Sequence, residues 1–163
     1  MSDAPDELGV YAAYIRRIAL EAVATLQDLT DRQLNWKTGE DGSSSMFAIA
    51  THMVARGEYW VLCLVGGADI VRARQGEFHA IDSAAESVLR LQNCSQACDV
   101  LCAGLGSEVL AEIARVPLEY LQSGCFGSGV LSKRECLMHV VEHSALHLGQ
   151  LQILRQLVER RAI

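Results

Sequence analysis

Proline is nearly missing from this chain: Pro5 and Pro117 are the only two in 163 residues. Nothing between them removes a backbone donor or locks φ against a helix. Half of the residues are apolar and only 6% are aromatic. Such a chain can bury a full core without staples, and its abundance of Leu, Ala and Val leans towards helices. Leu8, Tyr11, Ile15, Ile18, Ala22 and Leu26 recur at steps of three and four. That spacing predicts a first helix from about Asp6 to Leu26.

Further helices follow from their start signals. Thr30-Asp31-Arg32-Gln33 reads as a capping box opening one short turn. The polar segment Lys37 to Ser45 reads as a loop. A second helix begins near Ser44 or Ser45 and ends before Gly66-Gly67. Ala68 to Asp82 forms a charged connection with room for a helical turn, and Arg72, Arg74 and Glu77 read as a solvated run, with a substrate role as the lesser alternative. Ser83 to Glu86 opens a third helix, with Val88, Leu91, Cys98, Leu101 and Leu105 on one stripe. It stops near Gly104 or continues to about Ile113. The glycine-rich stretch from Pro117 to Leu131 reads as a loop. Ser132 to Glu135 opens the last helix, which runs to about Glu159. Four long helices, no convincing strand and no repeat predict an all-α four-helix bundle, one domain over residues 1–163.

Charge and composition exclude several functions. A net charge of -6 argues against a nucleic-acid surface. The acidic start, Met1 to Glu7, has no apolar run of the secretory kind. The most apolar stretch, Met46 to Val65, is broken by His52, Arg56 and Glu58, which makes it a poor membrane span. Of six cysteines, Cys94, Cys98 and Cys102 share one helical face and read as reduced core residues. No CxxC pair accompanies them. A cytoplasmic address is expected.

The histidines carry the chemistry. His139, His143 and His147 stand at i, i+4 and i+8 of the last helix, on one stripe. The outer two are about 12 Å apart along the axis. Ligand nitrogens must lie about 2.0–2.1 Å from a zinc ion, so one helix supplies at most an adjacent pair. A third ligand has to come from elsewhere. His52 is the best candidate, because it sits among Phe47, Ile49, Met53 and Val54 and needs a polar partner. Hydrogen-bonded structural histidines are the other reading of the same spacing. His79 reads as a surface residue. No HExxH, GxSxG, P-loop or dinucleotide signature is present.

The segment His139 to Gln150, HVVEHSALHLGQ, resembles the HxxxHxGQ signature of the DinB/YfiT-like family. Leu34-Asn35-Trp36-Lys37, followed by His52, resembles that family's first-ligand region. The match runs through nearly the whole chain in order. Thr38 stands where a proline often follows LNWK, and Leu148 where a basic residue often precedes Gly-Gln. The resemblance implies an up-down-down-up bundle, often a homodimer. It also implies a metal site of three histidines, usually zinc or nickel, which carries over to His52, His143 and His147. His139 is then a neighbour on the stripe.

Three imidazoles leave positions open, as in catalytic sites. A bound ion lowers the pKa of water or thiol. The resemblance favours a thiol-dependent S-transferase using a low-molecular-weight thiol on a small molecule. A metal-dependent hydrolase and a non-enzymatic, metal-stabilised binding protein are the alternatives. Gln150 lies about one turn past His147 and reads either as orienting a ligand or as a packing contact. Trp36 is a candidate for the pocket mouth, against a packing role. Cys136 reads as core.

Overall fold

The computed structural model describes residues 6–117 and 129–161. Helix α1 spans Glu7–Leu26 and is opened by Asp6, whose carboxylate accepts from the Gly9 amide at 2.8 Å. Its buried face is Leu8, Tyr11, Ala12, Ile15, Ile18, Ala22 and Leu26, the stripe that the spacing predicts. The short α2, Asp31–Leu34, carries a complete capping box between Thr30 and Gln33. Helix α3 spans Met46–Gly57, with Ser45 accepting from the Ala48 amide.

Beyond Gly57 the chain does not stop. It widens into a π-helical stretch, Glu58–Val65, which the sequence reading does not anticipate. Tyr59 to Val65 is an unbroken apolar run, and such a run has no polar face with which to mark its pitch. Gly67 then ends the element at φ 78°, a conformation open to glycine.

Helix α4, Arg74–Glu77, is one turn inside the connection. Helix α5 spans Ala84–Gly104, so Gly104 is its end. Ser83 caps it by accepting from the Glu86 amide, which is half of the expected box. A 3₁₀ turn follows over Ser107–Ala111. Helix α6, Lys133–Arg160, is 28 residues long and opens on a complete box between Ser132 and Glu135.

One expectation fails here. The chain contains strands: β1, Ile113–Arg115, pairs antiparallel with β2, Val130–Ser132, in the register Ile113↔Ser132 and Arg115↔Val130. The loop expected from Pro117 to Leu131 therefore ends in a strand. Residues 118–128 of that segment, with Cys125, lie outside the described residues.

Two core clusters fix the directions of the long helices. One gathers Leu8 to Ile15 of α1, Tyr59 to Val65 after α3, Cys98 and Cys102 of α5, and Cys136 to Val140 of α6. The other gathers Ile18 to Leu26, Met46 to Val54, Leu91, and Leu148 to Val158. The start of α1 thus lies beside the ends of α3 and α5 and the start of α6. The four helices run up, down, down, up. Helix α1 touches α5 and α6, and α3 touches the same two. Each fully buried leucine, such as Leu26, Leu137 or Leu151, contributes about 1.5–3 kcal/mol. The cysteine stripe is part of this core: Cys98 and Cys102 are buried and Cys94 half-buried, all as thiols. Among the described residues, no helix is long and apolar enough to cross a membrane.

Candidate metal centre

Because α3 and α6 run antiparallel and touch, their stripes form rungs. Helix α3 and its π-helical extension present His52, Arg56 and Trp60 at four-residue steps. Helix α6 presents His147, His143 and His139 in the opposite order. The His52 and His147 rings are 4.8 Å apart, Arg56 meets His139, and Trp60 lies 4.4 Å from the His139 ring.

On the first rung three nitrogens converge. His52 Nε2 is 3.0 Å from His143 Nε2, which is 2.9 Å from His147 Nε2. The three ligand atoms lie within 4.8 Å of one another, and this group could hold a metal ion. Two nitrogens bound at about 2.0–2.1 Å and about 90–110° apart are separated by about 2.9–3.4 Å. The two separations, 3.0 and 2.9 Å, fall in that range.

The far side of two rings sets their tautomers. His52 Nδ1 is 2.7 Å from Glu77 Oε2. A carboxylate only accepts, so Nδ1 carries the hydrogen and Nε2 keeps its lone pair. Arg72 Nη2 also lies 3.3 Å from Nδ1, but the shorter carboxylate contact governs, since a lone pair facing it would be repelled. His147 Nδ1 is 2.7 Å from Gln150 Oε1, which leaves the Nε2 lone pair free in the same way. Two lone pairs then face the single Nε2 of His143. One hydrogen there can only be shared between them. A cation at the centre would offer the three nitrogens one common partner.

Electrostatics keeps these rings neutral. Burial pushes His143 down to about 2, with Arg56 and the neighbouring histidines adding to it. Burial also lowers His52, against the opposing pull of Glu77, and His147, against that of Gln150. His139 is lowered to about 4 by burial, then by Arg56 and Arg72. Neutral imidazole is the form that ligates.

The chain around Glu77 is folded to serve His52. Burial would raise the Glu77 carboxyl, but hydrogen bonds from His52 and Arg72 outweigh it and hold it below its ordinary value. Arg72 reaches both carboxylate oxygens, Nε to Oε1 and Nη2 to Oε2, each at 2.7 Å. Phe78 lays its ring 4.9 Å from that of His52. The solvated run expected at Arg72, Arg74 and Glu77 is thus overturned for two members: Arg72 and Glu77 are 8% and 5% exposed. A signal was available, since buried His52 demanded a partner and Glu77 was an acid within reach of a folded-back connection.

Of the other candidates, Gln150 contacts His147, and His139 sits one turn along the stripe, bonded to Arg56. Trp36 packs on the second core cluster, 5.2 Å from the Arg161 guanidinium. Cys136 is fully buried, and burial pushes its thiol up to about 12. His79 is exposed.

Fold and site together define a DinB-like helical bundle with a histidine triad between its second and last long helices. A DinB-like protein from Bacillus cereus superposes with a TM-score of 0.66 at 17% identity, over 87% of this chain and 86% of that one. A conserved protein from Enterococcus faecalis superposes at 0.73 and 11% identity, over 95% and 98%. These likenesses are of fold. The family model for mycothiol-S-transferase matches residues 11–160, so the chain belongs to that family. No curated protein matches it.

Proposed function

We propose that this protein is a metal-dependent thiol S-transferase acting on a small molecule, with His52, His143 and His147 as the ligands of one divalent ion, zinc or nickel. The observation that carries the reading is the convergence of three Nε2 atoms in a chain of this family. Held by these three imidazoles, such an ion would supply Lewis acidity, lowering the pKa of a thiol beside it.

The chain's own residues do the rest. Glu77 and Gln150 hold two imidazoles in the ligating tautomer. Phe78 and the surrounding core keep water from His52, which is 3% exposed. The co-substrate is a low-molecular-weight thiol, and the family description supports mycothiol. In the transfer the S–H bond breaks and an S–C bond forms at the electrophile. The displaced group leaves with its electron pair and takes up a proton, so no oxidant or reductant enters. A cytoplasmic homodimer completes the reading. The unpaired thiols of the five described cysteines support the reducing compartment.

Metal content of untagged protein tests the ligand set. Wild type should hold one ion per chain and His143→Ala none at stoichiometry. Full metal in that variant overturns the assignment. A screen of thiols with electrophiles then tests the reaction, and turnover without any thiol would indicate hydrolysis instead.

A further inference from the structure

Arg56 is 7% exposed, so its charge is held away from water. Its contacts are neutral. Nη2 donates to His139 Nε2 at 2.7 Å, and the guanidinium lies 5.3 Å from the centre of the Trp60 ring. Among the described residues no ion pair includes Arg56, and its buried Nε has no hydrogen-bond partner. Arg72 shows what compensation looks like, since it takes both oxygens of Glu77. Glu77 acts on Arg56 only at longer range, and that carboxylate is already shared. Burial and the charges of Arg72 and Arg74 lower Arg56 to about 10, which leaves it protonated at neutral pH. A buried charge without a partner is costly, and this one sits one helical turn, about 6 Å, along α3 from His52.

We propose that Arg56 is a specificity-determining residue: its uncompensated charge makes an anion, the thiolate of the thiol co-substrate, the favoured occupant of the position beside the three imidazoles. This rests on the reading of the triad as a metal centre. Arg56 acts through its field: among the described residues its hydrogen bond is to His139, not to His52, His143 or His147. Two unit charges about 7 Å apart at an effective dielectric of about 20 change an affinity by about fifty-fold. The site thereby discriminates anions from neutral molecules of equal size before any chemistry occurs.

The full chain loaded with cobalt(II) tests this by visible absorption, with azide as the anionic probe and imidazole as the neutral one. Arg56→Gln should keep cobalt at one per chain and its imidazole affinity within about twofold, while azide binds about 10–100-fold more weakly. Arg56→Lys should retain most of the azide affinity. A merely structural arginine would weaken both probes alike or neither, and either result overturns the proposal. Arg56→Met keeps an apolar stem against Trp60 and decides the same ratio should the Gln variant fail to fold. Wild type that takes up no cobalt brings down the metal reading and this inference together. Cobalt bound with azide affinity indifferent to Arg56 removes the inference alone.

Discussion

His52 and Glu77 are joined across 25 residues of sequence by a contact of 2.7 Å between Nδ1 and Oε2, both side chains buried. The connection between α3 and α5 folds back over the site, and its one-turn helix delivers a carboxylate to the ring of His52. Outer partners of this kind orient a ligating imidazole and raise its basicity. Glu77→Ala should therefore weaken metal binding about 10–100-fold, read by competition with a chelator. Arg72→Ala leaves the Glu77 carboxylate buried without its countercharge. Breaking such a pair costs about 3–5 kcal/mol, visible as a lower urea midpoint. Unchanged values for both variants would make the pair incidental.

Gln150 holds His147 in the same sense but from the surface. Water can replace an exposed amide, whereas nothing replaces Glu77. Gln150→Ala should thus lower metal affinity by at most about tenfold, and by less than Glu77→Ala in the same assay. The reverse order would mean that the buried carboxylate does not set the tautomer.

The meeting of His52 with a histidine pair of the last helix was legible in part: spacing allows only an adjacent pair there, and it was the family resemblance that implied His143 and His147 rather than His139 and His143. Geometry alone then required a third ligand from another helix, and an imidazole among Phe47, Ile49, Met53 and Val54 stood out. That this imidazole needs a polar partner is legible, but which residue supplies it is not. Arg72 and Glu77 are five residues apart in a segment with no apolar period, and their burial depends on a tertiary fold-back that no local pattern encodes. Strands β1 and β2 escaped for a related reason. Three residues show too little alternation to read, and Ile113 and Val130 point apolar side chains outward. The π-helical stretch after Gly57 escaped because seven successive apolar residues fit either pitch.

Acid should loosen the metal-free protein in a defined window. His139 and His143 are held at about 4 and about 2 by burial first, then by Arg56. In the unfolded chain both return to about 6.5. Between those values the unfolded chain binds protons that the folded chain refuses, so stability falls as pH falls. It is complete above about 6.5 and declines towards pH 4, at up to about 1.4 kcal/mol per pH unit for each proton, less where water reaches the ring. Glu77, held below its ordinary 4.5, releases its contribution only at lower pH. Urea midpoints at pH 7.5, 6.0 and 5.0 measure the slope. His139→Gln should flatten it, and an equal slope in that variant would contradict the assignment.

Trp36 separates packing from pocket. Its ring rests on the cluster that contains Leu34, Met46 and Leu154 and lies beneath the Arg161 guanidinium. Among the described residues, no hydrogen bond or ring contact links it to the three imidazoles. Trp36→Ala removes apolar contact and a cation–π pair from a half-buried position, so it should cost about 1–3 kcal/mol. Metal stoichiometry should stay at the wild-type value, and thiol affinity with it. If the variant instead keeps its urea midpoint and loses affinity for the thiol, Trp36 lines the mouth of the site, and the loop from Lys37 to Ser45 becomes the place to look for the rest of that mouth.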